Sequence, residues 1–219
     1  MGMGVGVRER IAMRAAEEIK DGMIVNLGIG IPTLVANYLP KSVNVMFHAE
    51  NGILGTGPSP RKGNEDANLC NAGGFPITVV PGASYFDSAT AFGIIRKGLV
   101  DVTILGALEV SEKGDLANWI VPGKKVPGMG GAIELAQKSK KVIVLMNHVN
   151  KNGSPKILQT CSLPLTAQSC VNLIITDLAV FKVTKDGLLL LEIMKPYTVA
   201  DVYNHTGCDF TVNSNLKKM

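Results

Sequence analysis

Residues 44–60 read Asn-Val-Met-Phe-His-Ala-Glu-Asn-Gly-Ile-Leu-Gly-Thr-Gly-Pro-Ser-Pro. Val43, Val45 and Phe47 alternate with more tolerant positions, the period of an extended chain with one covered face. Asn51-Gly52 then supplies a tight reversal. Glu50 is therefore expected at the carboxyl end of a strand, the edge where open α/β sheets bind ligands because the sheet steadies loops that are free to vary. A glutamate before Asn-Gly is also a common solvated turn residue, so spacing alone leaves both roles open.

The flanking segments repeat a strand-then-helix order. Residues 8–20 predict a helix with Ile11, Ala15 and Ile19 on its inner stripe and Arg14, Glu17, Glu18 and Lys20 largely off it. Met23–Leu27 predicts an apolar strand entering Gly28-Ile29-Gly30, with Pro32 in the first turn of the next helix. Such a loop suits an anion, but it lacks the third glycine of a dinucleotide fingerprint, and a plain tight turn explains it equally well. Residues 59–70 are expected as an exposed loop, 77–80 as a buried strand closed by Pro81-Gly82, 84–97 as a helix lined by Phe86, Ala89, Phe92 and Ile95, and 101–105 as a strand. Residues 106–132 show no period and predict a long functional loop that holds Trp119, an expected core or interface anchor. Gly128-Met-Gly130-Gly131-Ala132 then opens a helix, and its glycines leave N–H groups uncovered, suiting either an oxyanion hole or a hinge. Strands follow at 141–146, 171–176, 179–183 and 188–193, with a hairpin at Asp186-Gly187. Thr166 is expected to cap a helix or contact substrate, and Thr198-Val-Ala-Asp to start a helix ending at His205. The alternation predicts a layered open α/β/α sheet in one domain over 1–219, flexible at 1–7 and 214–219.

Composition narrows the partners. A net charge of +4, spread without a Lys/Arg block, disfavours nucleic acid and suits a small anionic ligand. No apolar run reaches membrane-span length, and the N-terminus lacks a signal-peptide pattern, so the expected compartment is the cytoplasm. Cys70, Cys161, Cys170 and Cys208 show no paired spacing and are expected as reduced thiols. His48, His148 and His205 stand far apart, so no metal site is expected.

Ala49-Glu50-Asn51-Gly52-Ile53-Leu54-Gly55-x-Gly57-Pro58 resembles the active-site signature of the family I CoA-transferases, specifically the B (beta) subunit of the 3-oxoacid type. Further blocks resemble the family in its order: Asn26 to Thr33, Asn71-Ala-Gly-Gly74, Ala117-Asn-Trp119 with Val121-Pro-Gly-Lys124, Gly128 to Ala132, and Pro164 to Ala167. The likeness covers roughly Arg8 to His205. It implies the CoA-transferase fold and a reaction moving CoA between short carboxylic or 3-oxo acids, with Glu50 as nucleophile and CoA as substrate rather than cofactor. It also implies a backbone oxyanion donor at Gly131 beside Gly130 and close thioester approach at Gly28 and Gly30; Asn51 before Gly52 is read as orienting the glutamate turn or as a left-handed turn residue, and Lys124 and Lys125 as contacts for CoA phosphates or as solvated loop lysines. An A (alpha) subunit would complete the cleft in an α2β2 assembly. Ala49 stands where many members have Ser, which removes a hydroxyl contact, and Thr56 where a larger apolar residue is common. Three other readings remain: a 3-oxoadipate CoA-transferase chain, a sugar-phosphate isomerase or regulator on a related scaffold, and a noncatalytic ligand-binding chain.

Overall fold

Helix α1, Val5–Ala16, turns Ile11, Ala12 and Ala15 fully away from solvent. This is a computed structural model, which describes residues 5–123 and 128–219. In chain order there follow β1 (Ile24–Leu27), a 3-10 helix (Ile31–Tyr38), β2 (Met46–Ala49), β3 (Ile53–Thr56), β4 (Val79–Tyr85), helix α2 (Ser88–Arg96) and β5 (Val102–Gly106). Next come β6 (Glu109–Ser111), β7 (Leu116–Ala117), helix α3 (Ala132–Lys138), β8 (Lys141–Leu145) and β9 (Ile157–Leu158). The chain ends with β10 (Leu173–Ile175), β11 (Ala179–Thr184), β12 (Gly187–Ile193), helix α4 (Val199–His205) and β13 (Phe210–Lys218).

Ten strands form one sheet in the order β13-β12-β11-β10-β8-β5-β1-β2-β3-β4, and its centre, β10 to β2, is parallel throughout. Parallel strands must be covered on both faces, and here they are. Val25, Val102, Ile104, Ile143, Leu145, Leu173 and Ile175 join one apolar cluster with α1 and the 3-10 helix. Leu105, Val142, Val144 and Ile174 join the opposite cluster, which α3, α4 and a second sheet of β7-β6-β9 help to cover. The expected layered α/β/α architecture is therefore the observed one, with the small sheet added to one layer.

Several expectations change. Helix α1 stops at Ala16, and Arg14 is buried, contrary to its predicted outward place, because its guanidinium meets two carboxylates. Pro81-Gly82 does not close a buried strand; it lies inside the exposed β4, the sheet's last strand, where a missing N–H breaks no ladder. Residues 84 and 85 thus belong to β4, and α2 starts only after Asp87, whose carboxylate accepts the Thr90 N–H at 2.7 Å. Its buried residues are Ala91 and Ile95, while Ala89 is exposed.

The 106–132 segment is not an unstructured loop: β6 and β7 sit in it, and Val110, Leu116 and Ala117 are wholly buried. Thr166 precedes no helix; its hydroxyl donates to Asn118 Oδ1 at 2.6 Å and accepts the Asn118 N–H at 3.1 Å, joining two motif blocks. Trp119 is half-buried beside them, donating to the Leu165 carbonyl at 3.3 Å. Both ends of the described chain carry regular structure. Val5 to Val7 are helical, and Ser214 to Lys218 extend β13 along β12, with Met219 N–H bonded to the Ile193 carbonyl at 3.0 Å. Residues 1–4 lie outside the described residues. Helix α4 has the expected capping box between Thr198 and Asp201.

Burial leaves one histidine with a measurable consequence. His148 is fully buried, with Nδ1 2.9 Å from Thr176 Oγ1 and Nε2 3.0 Å from Thr206 Oγ1. The Thr206 hydroxyl is already donated to the Val202 carbonyl, so Nε2 must carry the ring proton. Thr176 Oγ1 already receives the N–H groups of Leu178 and Ala179, which leaves it no lone pair for a second ring proton. Burial first, then His205 and Lys156, push the His148 pKa down to about 4. A histidine kept neutral in the fold binds its proton more readily when unfolded. Its contribution is therefore complete above roughly pH 6.5 and falls as the pH drops towards 4, by about 3 kcal/mol at most. Urea unfolding across that range should show the loss, and His148→Gln, although weaker at neutral pH, should flatten the slope; parallel slopes would remove the assignment.

Candidate active site

Strand β1 brings a polar residue into an apolar run, Ile24-Val-Asn26-Leu, and the parallel register sets Asn26 beside His48 of β2 and Thr103 of β5. All three are buried. The Asn26 amide donates to the His48 carbonyl and to Glu50 Oε2, both at 3.1 Å. Its own oxygen lies 3.5 Å from the Thr103 hydroxyl. The His48 ring stands behind this amide: Nε2 is 3.2 Å from the Ala91 carbonyl, which can only accept, so the proton is on Nε2 and Nδ1 offers a lone pair towards Asn26. Burial lowers the His48 pKa, only partly opposed by the Ala91 carbonyl and the Glu50 charge.

Glu50 follows β2 directly, half-buried in the turn to β3. Gly52, at φ 117°, makes the reversal, and a side chain there would strike the Phe86 carbonyl at 2.1 Å. Asn51 is not left-handed; its amide donates to the Cys70 carbonyl at 2.8 Å and ties the turn to the 70–76 loop. The unbonded glutamate oxygen, Oε1, accepts no hydrogen bond among the described residues.

Glu50 opens into a cavity of about 550 Å³ whose walls include Leu27, Gly30, Phe47, Asn71 and Phe75. Gly30, at φ 95°, bends the loop after β1 along this wall. Gly28 stands back from it, its N–H bonded to the Ile104 carbonyl at 2.8 Å, where an added Cβ would lie 3.1 Å from that same oxygen. From the other side comes Gly131, immediately before α3: a Cβ placed on it would lie 3.4 Å from Glu50 Cγ. The bare backbone therefore reaches the glutamate. Gly130, at φ 55°, makes the bend before it, and Lys124 and Lys125 lie outside the described residues.

The structure thus draws together Glu50, Gly30 and Gly131, and gives Gly28, Asn51 and Gly52 supporting positions around them. Sequence reasoning missed Asn26 as the group that holds the carboxylate. Its signal was there: an amide inside a four-residue apolar strand needs a partner once buried. One carboxylate oxygen fixed and the other open is an arrangement for nucleophilic attack, and the nearby backbone can stabilise charge that develops on a carbonyl oxygen.

A sequence profile of the family described as Coenzyme A transferase matches residues 8–205. The chain belongs to the coenzyme A transferase family. Like this CoA-transferase chain in length is the beta subunit of a probable coenzyme A transferase of Bacillus subtilis (strain 168), 59% identical over 213 residues that span 97% of this chain and 98% of that protein. The B subunit of a probable succinyl-CoA:3-ketoacid coenzyme A transferase of the same organism is 55% identical over 209 residues, covering 95% and 97% respectively. The fold of this CoA-transferase is similar to that of the acyl-CoA transferase YdiF from Escherichia coli O157:H7, with a TM-score of 0.79 at 22% identity over the whole chain, which spans 44% of YdiF.

Proposed function

We propose that the chain is the nucleophile-bearing subunit of a 3-oxoacid CoA-transferase, working by a double-displacement route through a glutamyl-CoA thioester on Glu50. The observation that carries this reading is the Glu50 carboxylate itself, a cavity-lining group with one oxygen held by Asn26, the other without a hydrogen bond among the described residues, and the Gly131 backbone at its side chain. The relative named for succinyl-CoA and 3-ketoacids supports the substrate class, and the designation of both relatives as B or beta subunits supports a partner A (alpha) subunit; an α2β2 assembly is the stoichiometry proposed here. Acetoacetate with succinyl-, acetyl- or butyryl-CoA are the candidate pairs. No cofactor is required beyond CoA as substrate, and four free thiols suit the cytoplasm.

In the first step a Glu50 oxygen bonds to the acyl carbon and the C–S bond breaks, leaving a mixed anhydride and CoA thiolate. The thiolate then attacks the glutamyl carbonyl, the anhydride C–O bond breaks, and the donor acid leaves as its carboxylate. The acceptor carboxylate reverses both steps and departs as the new thioester. Each tetrahedral stage places charge on a carbonyl oxygen, where the Gly131 N–H is one donor and the partner chain supplies another. Loss of one such donor typically costs about 3–4 kcal/mol of barrier.

Incubation of the assembled enzyme with acyl-CoA and no acceptor, then borohydride and peptide mass analysis, should find residue 50 reduced to an alcohol. An unmodified Glu50 in an enzyme that transfers CoA would reject the covalent route. An isomerase would also leave it unmodified.

A further inference from the structure

The Asn71-Ala72-Gly73-Gly74 motif takes no part in the chemistry above, yet it is tightly built. Asn71 Oδ1 accepts the N–H groups of Gly73 and Phe75 at 2.9 and 3.1 Å, and its backbone N–H donates to the Phe75 carbonyl at 2.9 Å. This knot holds the Phe75 ring outward, 56% exposed, at the mouth of the Glu50 cavity. Ile29, which lines the same cavity, stands 64% exposed. Gly73 fits between them: a Cβ there would lie 3.1 Å from Ile29 Cγ1 and 3.3 Å from Phe75 Cδ2. Two large apolar side chains are thus held in water by a fixed loop and a glycine turn, which is unfavourable unless something covers them during the working cycle.

We propose that Ile29 and Phe75 form an apolar rim that closes on the aliphatic arm of bound CoA and keeps water from the glutamyl intermediates, deciding between transfer and hydrolysis. The inference rests on the covalent route through Glu50. The occupant follows from size and direction: the thiol must reach Glu50, the nucleotide end stays outside, and the methylene-rich pantetheine arm crosses the mouth between them. The reaction to be prevented is simple. Water oxygen bonds to the glutamyl carbonyl carbon, the C–S bond breaks, the thiolate takes the water proton, and Glu50 returns with the thioester energy lost. Water exclusion from a reactive intermediate is a recognised function of a closed site.

The test uses the complex with its partner chain, as wild type, Ile29→Ala, Phe75→Ala and Phe75→Leu. Acyl-CoA is supplied with and without acceptor acid, and hydrolysis is measured against transfer. Both alanine variants should raise the hydrolysis-to-transfer ratio roughly tenfold, a differential barrier of about 1.4 kcal/mol. Phe75→Leu, which keeps the apolar cover, should stay near wild type. An unchanged ratio in both alanine variants, with residue 50 still trapped by borohydride, overturns the rim and leaves the covalent route standing. So does weaker association with the partner chain at an unchanged ratio, which would make the pair an inter-chain contact. Failure to trap residue 50 in the wild type removes the covalent route, and the rim with it.

Discussion

Replacing Glu50 by glutamine in the assembled enzyme is expected to lower CoA transfer on the order of 10⁵-fold, the scale on which loss of a covalent nucleophile is felt. The substitution is sharp because it changes so little else. The glutamine carbonyl oxygen can still accept from Asn26, the volume is the same, and the Gly131 backbone keeps its neighbour. An amide oxygen does not form a mixed anhydride that can later return a carboxylate, so both half-reactions should stop together. Exchange of labelled acid into acyl-CoA, which needs only the first half, should fall as far as the complete reaction. A noncatalytic ligand-binding chain predicts the opposite: intact turnover with Glu50→Gln. Circular dichroism and complex assembly should match wild type, which separates lost chemistry from lost structure.

The alternation of β1, the glycine loop and the 3-10 helix was legible because parallel strands buried on both faces read as short apolar runs bounded by glycine and proline. The place of Glu50 was legible for the same reason, since a strand that stops at Asn51-Gly52 leaves the preceding side chain at its end. The Asn26 contact was not, because it depends on which strands become neighbours: β1 lies between β2 and β5, and only that order aligns Asn26 with His48 and Thr103. Strands β6 and β7 escaped because two- and three-residue segments carry no period, and β9, which pairs with β6, comes much later in the chain. The polar residues of β13 looked like a loose tail, whereas they belong to an edge strand open to water on much of its surface. Gly52 and Gly57 show the limit of motif reading. The first avoids the Phe86 carbonyl and the second the Thr78 hydroxyl, at 2.1 and 2.5 Å from the missing Cβ, so both glycines of the signature are also required by close approaches within the chain itself.

Arg14→Met should destabilise the fold by about 3–5 kcal/mol, because it strands a buried carboxylate. Arg14 donates twice to Glu192, at 2.7 and 2.8 Å, and once to Glu18 at 2.8 Å, while Lys141 holds Glu18 at 2.6 Å. The Arg14 and Glu192 side chains are only 6% and 8% exposed. Burial by itself would lower the Arg14 pKa, but bonding to Glu192 and then Glu18 outweighs it, and the guanidinium is held above its ordinary value. The pair joins the first helix to a late strand, β12, so its loss is felt between distant parts of the chain. Methionine keeps the apolar stem of arginine yet leaves Glu192 charged inside the sheet. Adding Glu192→Leu removes that charge and should recover most of the loss, as expected when both members of a buried pair are replaced by apolar groups. Urea midpoints at constant slope would measure this, and a single-variant loss below about 1 kcal/mol would mean the pair behaves like an exposed one. The effect should also reach the site. Helix α1 packs on the 3-10 helix, and Arg8 and Glu9 of α1 line the Glu50 cavity together with Thr33 and Leu34. Loosening α1 therefore loosens one wall of that cavity, and activity of Arg14→Met should fall on warming before the central sheet unfolds.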